Sequence, residues 1–141
     1  MLLKKGEIMN NYASALVLQK LVFDEIKFER KGLESKEELK FGLQVQIGKS
    51  EEQIYKVSLT LSGVKENEYD LKIGISGFFK IENTDDISNE TKQELIRKNT
   101  VAILMPYLRS ELSLLTAQPG MECVVLPAFN INKMLDDNAE R

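Results

Sequence analysis

Three consecutive stretches of the chain place an apolar side chain at every second residue and separate these runs with short polar turns. Leu39, Phe41, Leu43, Val45 and Ile47 alternate with Lys40, Gly42, Gln44 and Gln46. After the polar stretch Gly48 to Gln53, Tyr55, Val57, Leu59 and Leu61 alternate with Lys56, Ser58, Thr60 and Ser62. Beyond a second polar turn at Gly63 to Glu68, Tyr69, Leu71, Ile73, Ile75, Phe79 and Ile81 again share one parity. Side chains of a strand alternate between its two faces, so each run is a strand with one buried face. Turns this short cannot carry a parallel crossover, and the three strands must form an antiparallel meander.

The stretch Leu16 to Arg30 is also strand-like, but Leu21 and Phe23 are odd while Ile26 and Phe28 are even. A bulge near Asp24 and Glu25 absorbs such a slip, because one extra residue restores the facing of those that follow. Lys31 to Glu38 is then a charged loop. Upstream, Lys4 and Lys5 precede an apolar stretch from Tyr12 to Leu18 that reaches Gln19 and Lys20 too soon for a secretory core or a membrane span. Lys4 to Met9 can be encoded by a purine-rich stretch resembling a ribosome-binding site ahead of a start codon, which makes Met9 a candidate start. The expected organisation is an extension over 1–11, disordered or mis-assigned, one domain over 12–136, and a polar tail over 137–141.

After Ile81 the apolar period changes from 2 to 3.6. Thr91 and Glu94 have the spacing of a capping box, and a long helix to about Ala117 follows. At 100° per residue Ile96, Ile103, Tyr107 and Leu114 form one apolar stripe, and Val101, Leu104, Leu108, Leu112 and Leu115 another. A helix on one sheet needs a single stripe, so the second implies either a deeply buried helix or a partner subunit; Val101, Leu104, Leu108, Leu112 and Leu115 are assigned to an oligomer interface. Pro106 removes a hydrogen bond to Ala102 and predicts a kink. Gln118, Pro119 and Gly120 stop the helix, Val124 to Pro127 is extended, and Ile131 to Leu135 fits a short second helix. The fold class is therefore α+β: a four-stranded antiparallel sheet with a long kinked helix and a short C-terminal helix on one face.

Much common chemistry is excluded. The chain has no histidine, which removes the usual general base and with it Ser-His and Cys-His nucleophiles. The single Cys123 cannot form an internal disulfide or a multi-thiolate metal site. Gly48, Lys49 and Ser50 lack the upstream glycine of a phosphate loop and read as a turn. The acidic pairs Glu51, Glu52 and Asp85, Asp86 fall in polar turns, where solvated carboxylates are the rule. A net charge of -3 with interspersed signs gives no field for nucleic acid. No enzyme activity, cofactor, catalytic residue or metal site is expected.

Several strings, in chain order, resemble the SecB protein-export chaperone family. Ile26, Lys27, Phe28 and Glu29 are similar to the I-S-F-E of its first strand, and Gly77, Phe78, Phe79, Lys80 and Ile81 to the G-x-F-x-I that ends its sheet. Asn99 to Glu111 is similar to its helix pattern N-x-L-F-P-Y-x-R-E, with proline, tyrosine and arginine in register. Val125 to Ile131 resembles L-x-P-[VI]-N-F with the proline displaced by one. The chain reads as a divergent member, with the resemblance running from about Leu16 to Leu135.

The resemblance implies a cytoplasmic, ATP-independent chaperone that holds unfolded polypeptides or preproteins in apolar grooves, assembled as a homotetramer, a dimer of dimers. It implies client contacts at Phe41 and Leu43 on the second strand and at Phe129, Ile131, Met134 and Leu135 after the long helix. It also implies that Glu25 and Glu29 contact the motor ATPase of the Sec translocase. In the family a further acidic residue of that docking surface occupies the position of Lys72, and an apolar contact that of Asp70, so docking on the motor is expected to be weak. An adaptor of the same fold, or a chaperone dedicated to a toxin-antitoxin partner, is the alternative.

Overall fold

The computed structural model describes residues 16–51, 53–82 and 88–126. Four strands, β1 (Leu16–Arg30), β2 (Leu39–Glu51), β3 (Ile54–Lys65) and β4 (Tyr69–Ile81), precede one long helix, α1 (Asn89–Thr116). The strands form one antiparallel sheet in the order β1-β4-β3-β2. β2, β3 and β4 make the expected meander, but β1 lies beside β4 and not beside β2, its neighbour in sequence. The connection 31–38 must therefore pass over the β3–β4 turn.

That crossing is built on Glu68. Its carbonyl accepts the N–H groups of Lys31 and Gly32 at 2.7 and 3.2 Å, and its carboxylate accepts the Ser35 N–H at 2.8 Å. The Ser35 hydroxyl donates to the Glu66 carbonyl at 3.0 Å. A Cβ at Gly32 would lie 2.4 Å from the carbonyl oxygen of Asn67, so the crossing chain fits the turn only as glycine. The Glu68 side chain is fully buried and pairs with Lys65 at 3.1 Å. Burial pushes this carboxyl up, but the Ser35 N–H and the Lys65 ammonium outweigh burial and hold it below its ordinary value.

The alternating pattern fixes which face is covered. Val57, Leu59, Leu61, Leu71, Ile73, Ile75 and Phe79 turn toward α1 and are buried. β1 follows the same rule with two register shifts, at Leu18/Lys20 and at Phe23/Glu25. The second is the expected bulge, where the hydroxyl of the buried Ser76 donates to the Asp24 carboxylate and also meets Ser58 Oγ at 2.7 Å. The first is additional, and it brings Leu16 and Leu18 onto the same face as Leu21 and Phe23.

α1 begins one turn earlier than its expected capping box. Ser88 is the N-cap, its hydroxyl oxygen accepting the Thr91 N–H at 3.3 Å. The helix packs across β3 and β4 and sits close to the sheet at Gly77, where a Cβ would come within 2.7 Å of the Phe79 ring and 2.9 Å of Leu104. It continues through Pro106, and both Pro106 and Ala102, whose carbonyl loses its donor, are exposed.

The structure corrects the interface assignment. Val101, Leu104, Leu108 and Leu112 are fully buried in the chain's own core, and Leu115 is half-buried against it. The first four, sealed beneath their own helix, cannot meet a second subunit. The stripe left outside begins with half-buried Ile103 and continues with exposed Tyr107 and Leu114. The predicted helix at Ile131 to Leu135 lies outside the described residues.

Candidate functional site

At the end of α1 the chain reverses and returns along the helix. Gly120 takes φ 77°, a conformation open to glycine at no steric cost, and its carbonyl accepts Arg30 Nη2 at 3.1 Å, tying the reversal to the end of β1. The returning segment lacks regular structure, so its backbone polar groups need side-chain partners. The helix supplies them. Ser113 Oγ donates to the Val124 carbonyl at 2.8 Å, and Thr116 Oγ1 accepts the Val124 N–H at 2.8 Å while donating to the Leu112 carbonyl at 2.9 Å. Arg109 donates through Nε and Nη2 to the Leu126 carbonyl at 3.1 and 2.8 Å. Arginine at this point of the helix thus has a structural role: it clamps the returning segment.

Held in this way, the segment walls a groove of about 310 Å³ against the sheet. Leu39 and Phe41 of β2 form one side and Cys123 and Val124 the other, with Lys65 and Tyr69 at the junction of β3 and β4 between them. Glu37, Glu38 and Glu122 complete the lining. Lys65 is held charged: its pairing with Glu68 raises its pKa above the ordinary value against the opposing effect of burial. Burial, the largest effect on Tyr69, raises the pKa of its phenol. Phe41 is 41% exposed. The groove is apolar on its walls and carries charge along its lining, a form suited to a polypeptide with its own polar backbone and not to a compact apolar ligand.

On the helix side of the same segment lies a second, larger depression of about 690 Å³, bounded by Pro106, Ser110, Leu114, Cys123 and Val125 among others. Leu114 and Val125 are 65% and 72% exposed. Cys123 borders both hollows, so the returning segment is the partition between them; Val125 and Leu126 line the larger one, Val125 open and Leu126 buried. This partition left no motif beyond Ser113, Thr116 and Arg109, each an unremarkable helix residue until its backbone partner is known.

Of the expected client-binding residues, Phe41 lines the sheet-side groove. Leu43 does not: at 7% exposure it belongs to the core. Phe129, Ile131, Met134 and Leu135 lie outside the described residues. Glu25 and Glu29 sit on the opposite face of the sheet. The Glu25 carboxylate is engaged by Lys72 at 3.3 Å and Lys27 at 3.7 Å, and Asp70 by Lys31 at 2.8 Å. Among the described residues no group of Cys, Asp and Glu converges as metal ligands, and no helix is long and apolar enough to cross a membrane.

No curated protein matches the sequence. Among solved structures, the chain is similar to the Mycobacterium tuberculosis SecB-like chaperone Rv1957, solved in complex with a ChAD peptide from the Rv1956 HigA1 antitoxin. That match has a TM-score of 0.69 at 10% identity and covers 88% of this chain and 94% of the other. A protein of unknown function from Streptococcus agalactiae also matches, with a TM-score of 0.48 at 13% identity over 80% of this chain and 97% of the other. The overall fold is thus one that this SecB-like chaperone shares. The family of preprotein translocase subunit SecB matches residues 8–141, nearly the whole sequence, and the chain belongs to that family.

Proposed function

We propose that the protein is an ATP-independent holdase that binds unfolded polypeptides in the groove at Phe41. The observation that carries this reading is the groove itself: an aromatic side chain left 41% exposed at the mouth of a channel between sheet and returning segment, in a chain of the SecB family. A flat ring and aliphatic walls accept many sequences, because apolar contact is non-directional. Phe129, Ile131, Met134 and Leu135 extend this surface in the same reading. The protein works in the cytoplasm as a homo-oligomer, a tetramer built through Ile103, Tyr107 and Leu114.

A dedicated client is favoured over general preprotein export, and one observation supports it. Glu25, matched to the family's motor-docking position, already spends its charge on Lys72 and Lys27, which lowers its attraction for a basic partner such as the Sec motor. The relative solved with an antitoxin peptide makes a toxin-antitoxin partner the first class to examine.

The test is suppression of aggregation of a chemically unfolded protein, without nucleotide, by wild type, by Phe41→Ser and by the pair Ile131→Ser with Met134→Ser. Wild type is expected to hold the client in solution, and both variants to lose that capacity with thermal unfolding nearly unchanged. Wild type that leaves aggregation untouched removes the holdase reading. Variants that lose stability without a separate binding defect remove the site.

A further inference from the structure

The sheet face turned away from α1 is divided in charge. At one end Glu25 and Asp70 are engaged by lysines, and Glu29 stands opposite Asp70 across β1 and β4. Toward the other end Lys20, Phe78 and Lys56 form one row across β1, β4 and β3. Lys80 shares this face two residues beyond Phe78. The Lys56 ammonium lies 5.8 Å from the centre of the Phe78 ring. Lys20 and Lys56 are exposed and have no carboxylate partner among the described residues, while Lys80 reaches Glu82 at 3.8 Å.

Apolar surface adjoins these cations. Val17 and Val22 on β1 are 44% and 37% exposed. On the β2 side a shallow depression of about 520 Å³ is lined by Gln46, Ile47, Gly48, Lys56 and Ser58. Neighbouring strands lie about 4.8 Å apart, so Lys20 and Lys56 rise about 10 Å from each other on either side of the ring.

We propose that this end of the outer face docks a short acidic polypeptide segment bearing an aromatic or aliphatic side chain. Its carboxylates meet Lys20, Lys56 and Lys80, and its apolar side chain packs on Phe78 between them. Charge complementarity selects the sign, and the extent of the patch selects the class. An anionic lipid surface or a nucleic-acid strand extends well past three cations and would meet Glu29 and Asp70 on the same face, within a chain of net charge -3. A segment of about three or four extended residues spans the row and ends before that acidic region. The site is separate from the groove at Phe41 and does not depend on what the groove holds.

The experiment is fluorescence anisotropy with two labelled peptides of equal length, one alternating Glu and Phe, the other alternating Lys and Phe. Wild type is expected to bind the acidic peptide at least about tenfold more tightly, with affinity falling as salt is raised. Lys20→Glu with Lys56→Glu should lower that affinity at least about tenfold, while Phe41→Ser leaves it unchanged. The milder pair Lys20→Gln with Lys56→Gln carries the test if charge reversal disturbs folding, and should weaken binding in the same direction. Equal binding of the two peptides overturns the proposal, as does a loss that follows Phe41→Ser and ignores the lysines. Tighter lysine-dependent binding to phosphatidylserine vesicles or to a polynucleotide than to the acidic peptide overturns it as well.

Discussion

Glu68→Gln is expected to cost about 3 kcal/mol of folding free energy. The carboxylate is fully buried, the Lys65 side chain beside it is 9% exposed, and the two meet at 3.1 Å. Removing one member of such a pair leaves a buried charge without its partner, which costs about 3 to 5 kcal/mol. Glutamine still offers an oxygen to the Ser35 N–H, now 2.8 Å from the carboxylate, and this places the loss at the lower end. Against a total stability of about 5 to 15 kcal/mol the effect is large, and it should lower the urea midpoint by about 1 to 2 M at pH 7 with the slope unchanged. Lys65→Met with Glu68→Leu removes both charges and should lose less than the single variant, since only the Ser35 N–H, worth about 1 kcal/mol, is left without an acceptor. The pH dependence has a definite sign. The folded pKa of Glu68 lies below its ordinary 4.5, so its contribution is present above that pH and is lost as pH falls through the folded value. Lys65 is raised above its ordinary 10.5, so its contribution persists below that pH and is lost as pH rises through the folded value. Glu68→Gln should therefore flatten the acid limb of stability. A single variant losing less than about 1 kcal/mol, or a double variant worse than the single, would refute the reasoning.

Gly77→Ala should destabilise by about 1 to 3 kcal/mol in thermal or urea unfolding, because its methyl group enters space held by Phe79 and Leu104 beneath α1. Leu114→Glu should dissociate the oligomer in analytical ultracentrifugation while leaving the monomer folded, whereas Leu108→Glu, at a fully buried position, should unfold it. Lys72→Glu should strengthen binding to the Sec motor and Glu29→Lys weaken it, both in a salt-dependent way measured by titration calorimetry.

The strands were legible because each has one covered face, and burial on a single face writes a period of two into the sequence. The first strand shows how far that reaches. The change from Leu16 and Leu18 to Leu21 and Phe23 is itself a parity slip, as informative as the one at Asp24, and marks the additional bulge. The helix start moved one turn because Ser88, followed by Thr91, precedes the box that Thr91 and Glu94 also spell. Strand order was not legible. It depends on a loop crossing a turn, and the residues that secure it, Gly32, Ser35 and Glu68, have no periodic signature. The choice between the two helix stripes failed for a related reason: spacing places residues on faces but does not say which face meets the sheet. Gly77 marks where on the sheet the helix approaches, and only the fold shows that Leu104 is the residue above it. The groove was legible on its β2 side through Phe41, while its other wall rests on Arg109, Ser113 and Thr116 bonding a backbone that only the fold brings near.

The most direct test of client binding in the groove is site-specific photo-crosslinking to an unfolded, reduced and alkylated protein without acidic clusters. A photoreactive side chain replaces Phe41 in one variant, and Ser62 in another, an exposed residue on the neighbouring strand β3 that faces away from α1. Cross-links formed strongly from position 41 and weakly or not at all from 62 are the expected result. Equal yields from both positions, or capture from 62 alone, would contradict the account.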